Sequence, residues 1–230
     1  MTRASPVRML ALSIPGPVGT LEALLRTPPV ATGAAVFAHP HPLFGGTMHT
    51  KVVHQAARLL SDRFGLTTLR FNFRGVGASS GVHDEGRGET DDLLAAARFV
   101  RGRHPSGPLV AGGFSFGSLC ALRAARTLKP DFLLLAGVPL DRWSETDARA
   151  LRGSRVAWVQ GERDEFGAAD RAAEEAGRLG FRFRAVAGAD HFFTGRLEAF
   201  EAAAAALLVE AGLPAPGSNG DAGTDGEDGA

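Results

Sequence analysis

The chain has 230 residues, 44% of them apolar, and 25 Lys+Arg balance 25 Asp+Glu. That suits one domain with at most a small appendage, with enough apolar residues for a sizeable core, and the missing basic excess argues against a nucleic-acid binder. The single cysteine, Cys120, excludes a disulfide within the chain and fits a reducing compartment; no run of 18 apolar residues offers a membrane span, so the expected location is the cytoplasm.

Arg3 and Arg8 precede a first apolar run at 9–14, too short for a secretory h-region and stopped by Pro15-Gly16-Pro17. We read it as a strand, 7–14, paired as an antiparallel hairpin with a second at 19–27. Further strands are predicted at 34–38, 66–73, 108–114, 131–138, 156–160 and 181–187. Several are continuously apolar, such as Phe-Leu-Leu-Leu-Ala-Gly-Val at 132–138, which marks strands covered on both faces. Helices are predicted at 50–63, 90–103, 116–128, 168–179 and 196–210. In the last, Leu197, Phe200 and Leu207 lie on one stripe around an alanine run. Alternating strands and helices imply an α/β domain with a mostly parallel sheet. Gly212 is expected to end the last helix. From Leu213 on, the chain is Gly/Pro-rich and holds Asp221, Asp225, Glu227 and Asp228 but no Lys or Arg. The expected organisation is a domain at 1–212 and a disordered acidic tail at 213–230. Without those four acids the body stands at about +4, too mild to imply a polyanionic partner.

Parallel α/β sheets place their sites at the carboxyl ends of strands. After the fifth predicted strand comes Gly113-Phe114-Ser115-Phe116-Gly117, a G-x-S-x-G turn that exposes a serine between a strand and a helix N-terminus. Chance alone would give roughly 0.2 such matches, and a second one exists at Gly77-Ala78-Ser79-Ser80-Gly81. Ser79 lacks the strand–turn–helix context, with Gly86 and Gly88 still to come before any helix, and reads as loop structure. Ser115 needs a base and an orienting acid, which follow the serine in the order acid, then histidine. His191 is the only histidine downstream of Ser115, after the eighth strand. Asp164, in the loop after the seventh strand, is the preferred acid; Glu162, Glu165 and Asp190 are its rivals. After the third strand, His39-Pro40-His41-Pro42-Leu43-Phe44-Gly45-Gly46 offers oxyanion donors. Pro40 and Pro42 have no N–H, which leaves the amides of His41, Leu43 and Phe44, beside that of Phe116. His39 and His41, with His49 or His54, allow a rival metal-site reading, but no carboxylate-rich second cluster accompanies them. The loop Phe71-Asn72-Phe73-Arg74-Gly75-Val76-Gly77 matches no phosphate-binding spacing. Arg74 is expected to pair with Asp84, Glu89 or Asp92, and Cys120 to pack as a small apolar side chain.

Together the His-Pro-His-Pro-Leu-Phe-Gly-Gly loop, Phe-Asn-Phe-Arg-Gly-Val-Gly-Ala-Ser, Gly-Phe-Ser-Phe-Gly, Gly-Glu-Arg-Asp and Ala-Asp-His-Phe-Phe resemble the α/β-hydrolase superfamily. They look most like its small bacterial branch of serine hydrolases and carboxylesterases without a large lid, near the dienelactone hydrolases. The resemblance covers about 1–212. It implies an α/β-hydrolase fold with an eight-stranded, mostly parallel sheet and helices on both faces. It also implies Ser115 as nucleophile, Asp164 as acid and His191 as base. Many relatives have His-Gly where this chain has His-Pro, and dienelactone hydrolases proper carry cysteine where Ser115 stands.

Only one short helix fits between Pro139 and Gly153, where many such hydrolases carry a lid, so an open, shallow site is expected. Candidate rim residues are Leu43, Phe44, Phe114, Phe116, Trp143, Phe166, Phe192 and Phe193, of which about half are expected to pack in the core instead. For the substrate pocket we take Phe44, Trp143, Phe166 and Phe192, and for the oxyanion hole Phe116, His41 and Leu43. The leading expectation is a serine esterase acting on small short-acyl esters, with thioesters or amides open to the same apparatus. It needs no cofactor or metal, and its partner is a small-molecule ester rather than nucleic acid or membrane. The alternatives are a metal-dependent hydrolase using the His-Pro-His loop and a catalytically silent scaffold.

Overall fold

A hairpin opens residues 6–215, the part of the chain that the computed structural model describes. Its strands, β1 (Arg8–Gly16) and β2 (Gly19–Thr27), pair antiparallel around Pro17-Val18. Six more follow: β3 (Gly33–Ala38), β4 (Leu66–Phe71), β5 (Leu109–Phe114), β6 (Phe132–Ala136), β7 (Val156–Gly161) and β8 (Arg182–Val186). They form one sheet in the order β1-β2-β4-β3-β5-β6-β7-β8, in which β2 pairs antiparallel with both its neighbours and β3 to β8 pair parallel. Every residue of β3 through β7 is buried, as the continuous apolar runs predict. The helices are α1 (Lys51–Phe64), α2 (Arg87–Arg101), α3 (Phe116–Leu128), α4 (Glu145–Arg149), α5 (Ala169–Leu179) and α6 (Leu197–Glu210). One core layer, with Phe71, Leu93, Leu119 and Trp158, lies beneath α2, α3 and α5; the other, with Phe37, Leu60, Phe114 and Phe200, lies beneath α1 and α6.

The chain winds outward from β3 to β4, then crosses through α2 to β5 on the other side of β3. The carboxyl ends of β3 and β5 are therefore a topological switch point, where such sheets leave a crevice. The His39–Gly46 loop and the Ser115 turn both open there.

Most boundaries shift by one to three residues from the sequence reading, and three of the differences have an identifiable cause. First, α2 starts at Arg87 rather than 90, because the buried Glu89 carboxylate accepts from the Gly86 and Asp84 amides at 2.8 and 2.9 Å and caps an earlier turn. Gly88 lies inside that helix, where the Arg74 guanidinium occupies the space a Cβ would need. Arg74 itself makes a buried two-pronged pair with Asp92, at 3.0 and 2.8 Å. Second, β4 ends at Phe71. Beyond it Asn72 Oδ1 accepts from the Met48 amide at 2.9 Å, and the Phe73 amide donates to His39 Nε2 at 3.0 Å. Third, Leu213 is not part of a tail. Helix α6 closes at Ala211, with Gly212 following, and the Leu213 amide donates back to the Leu208 carbonyl at 2.9 Å. That turn buries the Leu213 side chain in the core layer of α6. Residues 216–230 of the predicted tail lie outside the described residues.

His39 ties the two strand ends together. Because Nε2 accepts from Phe73, the ring proton sits on Nδ1, 2.6 Å from the Pro40 carbonyl oxygen. Burial pushes its pKa down to about 4, against the opposing pull of the Pro40 carbonyl and Glu89. A folded pKa below the ordinary 6.5 means that both states are neutral above that value. Below it the unfolded chain takes up a proton that the folded chain refuses. His39 alone should therefore lower stability by about 3 kcal/mol as pH falls from neutral towards 4. Urea unfolding of wild type and His39→Gln at both ends of that range checks this: the variant should be less stable at pH 7 but lose less on acidification.

Candidate active site

The turn from β5 into α3 holds Ser115 at φ 56° and ψ −123°. A non-glycine residue there costs about 1–3 kcal/mol and persists only when its surroundings enforce it. The Ser115 amide donates to the Ala136 carbonyl at 2.9 Å, and the Ser118 amide and hydroxyl donate to the Ser115 carbonyl at 2.8 and 2.5 Å. Both flanking glycines are demanded by close backbone approach. A Cβ on Gly113 would lie 2.2 Å from the Gly117 carbonyl oxygen, and one on Gly117 would lie 2.5 Å from the His39 carbonyl oxygen. The G-x-S-x-G spacing is thus the sequence trace of a strand, a helix and the end of β3 meeting at one point.

Ser115 Oγ lies 2.9 Å from His191 Nε2, and His191 Nδ1 lies 2.9 Å from both oxygens of Asp164. A carboxylate only accepts, so the ring proton sits on Nδ1 and Nε2 is free to accept from the serine hydroxyl. Asp164 is held from the other side by Gln160 Nε2 at 2.7 Å and the Phe166 amide at 2.9 Å. The rival acids have other partners: Glu162 accepts from the Gly188 amide at 2.6 Å and Asp190 from the Thr194 amide at 2.8 Å. Glu165 is exposed and has no hydrogen bond among the described residues. The His191 ring is wedged among Phe114, Phe166 and Phe192, with centroids 5.0, 4.7 and 5.2 Å away.

Gln160 was not singled out in the sequence. Fully buried, it accepts from the Val138 amide and the Trp158 indole and donates to Gly167 as well as Asp164, so it joins the loops after β6 and β7. The signal was available, since it is the one amide side chain in β7 and lies four residues before the acid.

Two residues that line the cleft with Ser115 have backbone amides without an acceptor among the described residues: Phe116, the first residue of α3, and His41. The helix N-terminus adds a partial positive charge at that point. Leu43 does not share this position. Its amide donates to His41 Nδ1 at 3.3 Å and its side chain projects into solvent, because Pro42–Phe44 winds into a 3-10 turn. The Phe44 amide is likewise taken, by the His41 carbonyl at 3.2 Å. His39 cannot ligate a metal without giving up its bond to Phe73 or to the Pro40 carbonyl, since both its nitrogens are engaged. Among the described residues no three His, Cys, Asp or Glu side chains group as metal ligands.

A cleft of about 360 Å³ opens over Ser115, lined by Phe44, Phe116, Leu119, Phe166 and Phe192, with Asp141 and Arg142 at one side. Trp143 is not among the lining residues. It stacks on Trp158 at 5.0 Å, because the Leu140–Arg142 turn rotates it inward onto the core layer of α3. Phe114 and Phe193 are core residues too. Phe193 takes φ 52°, which buries its ring against Phe200 and leaves Phe192 at the cleft. The connection between β6 and β7, where a lid would sit, is only the turn at Leu140–Arg142 and the five-residue α4, which packs on α3 through Asp147. Ser79, in the second G-x-S-x-G, faces away: its hydroxyl accepts from the Glu22 amide at 2.9 Å and donates to the Asn72 carbonyl at 2.7 Å.

Comparison with known proteins agrees with this architecture. The model of the alpha/beta hydrolase fold family matches residues 43–172. An uncharacterized protein of Rickettsia prowazekii is 33% identical over 207 residues, covering 84% of this chain and 86% of its own length. The crystal structure of an α/β serine hydrolase without a lid from Xanthomonas campestris is 34% identical, with a TM-score of 0.81 over 91% of this chain and 97% of its own. An α/β serine hydrolase homologue from Coxiella burnetii is 35% identical, with a TM-score of 0.79 over 86% of this chain and 97% of its own. With the elbow at the switch point, the histidine after β8 and the short connection between β6 and β7, the chain belongs to the α/β-hydrolase family, among its small serine hydrolases without a lid.

Proposed function

We propose that this hydrolase is a cytoplasmic serine esterase that cleaves small, short-acyl esters through an acyl-enzyme. The observation that carries the reading is the continuous hydrogen-bonded array from Ser115 through His191 to Asp164, with the serine at the floor of an open cleft. His191 Nε2 takes the Ser115 proton as Oγ attacks the ester carbonyl. The amides of Phe116 and His41 receive the developing oxyanion, and Asp164 stabilises the imidazolium. His191 then returns the proton to the leaving alcohol, and a water, activated by the same ring, releases the acid. Phe44, Phe166 and Phe192 supply the apolar walls for the substrate. Thioesters and activated amides fit the same chemistry, which calls for no cofactor.

Two measurements test this. A fluorophosphonate should label Ser115 and no other residue. Ser115→Ala should reduce ester turnover on the order of 10³-fold or more without unfolding the chain. Ser79→Ala should keep turnover but cost about 1–3 kcal/mol of stability, because it leaves the buried Glu22 amide and Asn72 carbonyl without their hydroxyl partner. Reversed results for the two serines would overturn the assignment.

The cleft also sets an acyl-length limit. Each buried methylene contributes about 0.8 kcal/mol, but only while it leaves water. With no lid and with Phe44, Phe166 and Phe192 all exposed, kcat/KM across a series of aryl esters should level off or fall beyond roughly four to six acyl carbons. A preference for chains of about twelve carbons would contradict the reading, since burial along such a chain needs far more apolar wall than this cleft has.

A further inference from the structure

The cleft walls are apolar, yet one side carries an arginine with nothing adequate to bind. Arg142 sits on the turn after β6 and lines the cleft over Ser115. Elsewhere in the fold Arg26, Arg74, Arg149 and Arg178 each meet a carboxylate at 2.6–2.8 Å. Arg142 has only its sequence neighbour Asp141, through Nε at 4.0 Å, and both side chains are about two-thirds exposed. An exposed pair at that distance is weak and screened by water. The two terminal nitrogens of the guanidinium have no acceptor among the described residues, so the face that matches a carboxylate is unoccupied.

His41 lines the same cleft from the loop after β3. Its Nδ1 accepts from the Leu43 amide, which places the ring proton on Nε2, where it has no partner among the described residues. Burial, His83 and the charge of Arg142 hold its pKa below the ordinary histidine range, against the opposing pull of Glu85 and Glu89. At neutral pH it is therefore one more N–H donor rather than a second cation. Asp164 lies beneath His191 and is fully engaged by it and Gln160. The cleft thus offers one guanidinium whose terminal nitrogens are free among the described residues and a neutral donor, with Asp141 offsetting part of the charge. One guanidinium face matches one carboxylate, whereas a dianion would meet Asp141 with no second cation to hold it.

We propose that Arg142 makes this cleft selective for esters that carry a carboxylate, such as monoesters of short dicarboxylic acids. The proposal rests on the serine-esterase reading of the same cleft and adds its substrate class.

The test compares 4-nitrophenyl hydrogen glutarate with 4-nitrophenyl valerate on the full chain, each rate corrected for reactivity towards hydroxide. A second pair, carboxyphenyl butyrate against phenyl butyrate, places the carboxylate on the alcohol side. In one of the two pairs kcat/KM should favour the carboxylate ester by about tenfold, the scale of a charge-assisted hydrogen bond partly open to water. Arg142→Gln should lower the carboxylate ester about tenfold more than its neutral counterpart, mostly through KM, and Arg142→Glu should reverse the preference. Added salt should shrink the wild-type preference, as screening demands. Turnover of the neutral esters with no Arg142-dependent preference in either pair would overturn this proposal alone. Failure of all four esters together with an unlabelled Ser115 would overturn the esterase reading, and this proposal with it.

Discussion

The contact on which the site depends is the approach of three backbones at the carboxyl ends of β3 and β5. Gly113, Gly117 and the His39 carbonyl lie so close that no side chain fits between them. This crowding turns the chain sharply enough to hold Ser115 in a conformation it would not choose, and it brings the loop after β3 against the first turn of α3. Ser115, Phe116 and His41 consequently line the same cleft. Strain at Ser115 is offset by the helix it begins and by the bonds to Ala136 and Ser118.

Around that point, buried polar side chains do what regular ladders cannot. His39 accepts the amide of Phe73 just where β4 stops pairing. Gln160 bonds to Trp158 within β7 and to three partners in the loops after β6 and β7, and orients the acid. Each group is fully buried and fully bonded, so each loop has one satisfied arrangement and few alternatives. The imidazole of His191 is fixed by both kinds of force, a carboxylate behind it and aromatic rings on its sides. A base positioned this way needs no closing lid to bring it into reach of the serine.

The same economy shapes the cleft. With only a short turn at its edge, the site keeps aromatic walls but stays open to water. Charge at the rim is therefore only moderately effective, and apolar burial is limited to the groups nearest the serine. Trp143 illustrates how the connection is held: it spends its large apolar surface on Trp158, which anchors the turn that presents Arg142.

The order of strands and helices, the buried parallel centre of the sheet and the Ser115, Asp164 and His191 positions were all legible in the sequence. Apolar runs, the small residues of a forced turn and a sole downstream histidine are local signals. What the sequence left open depended on which atoms meet across the fold. Asp164 was preferred over three rival acids by its place after β7, and the contacts with Gln160 and His191 separate it from them. Leu43 and His41 were equal donors until the 3-10 turn consumed one amide and left the other. Trp143 and Phe192 were equivalent aromatics until backbone rotation turned one inward and the other to the cleft. Leu213 read as tail because its burial depends on the turn after α6, and α2 began early because Glu89 reached back to cap it. Residue type and spacing determined which groups were available; side-chain direction and hydrogen-bond partners, fixed only when distant segments pack, decided which of them form the site.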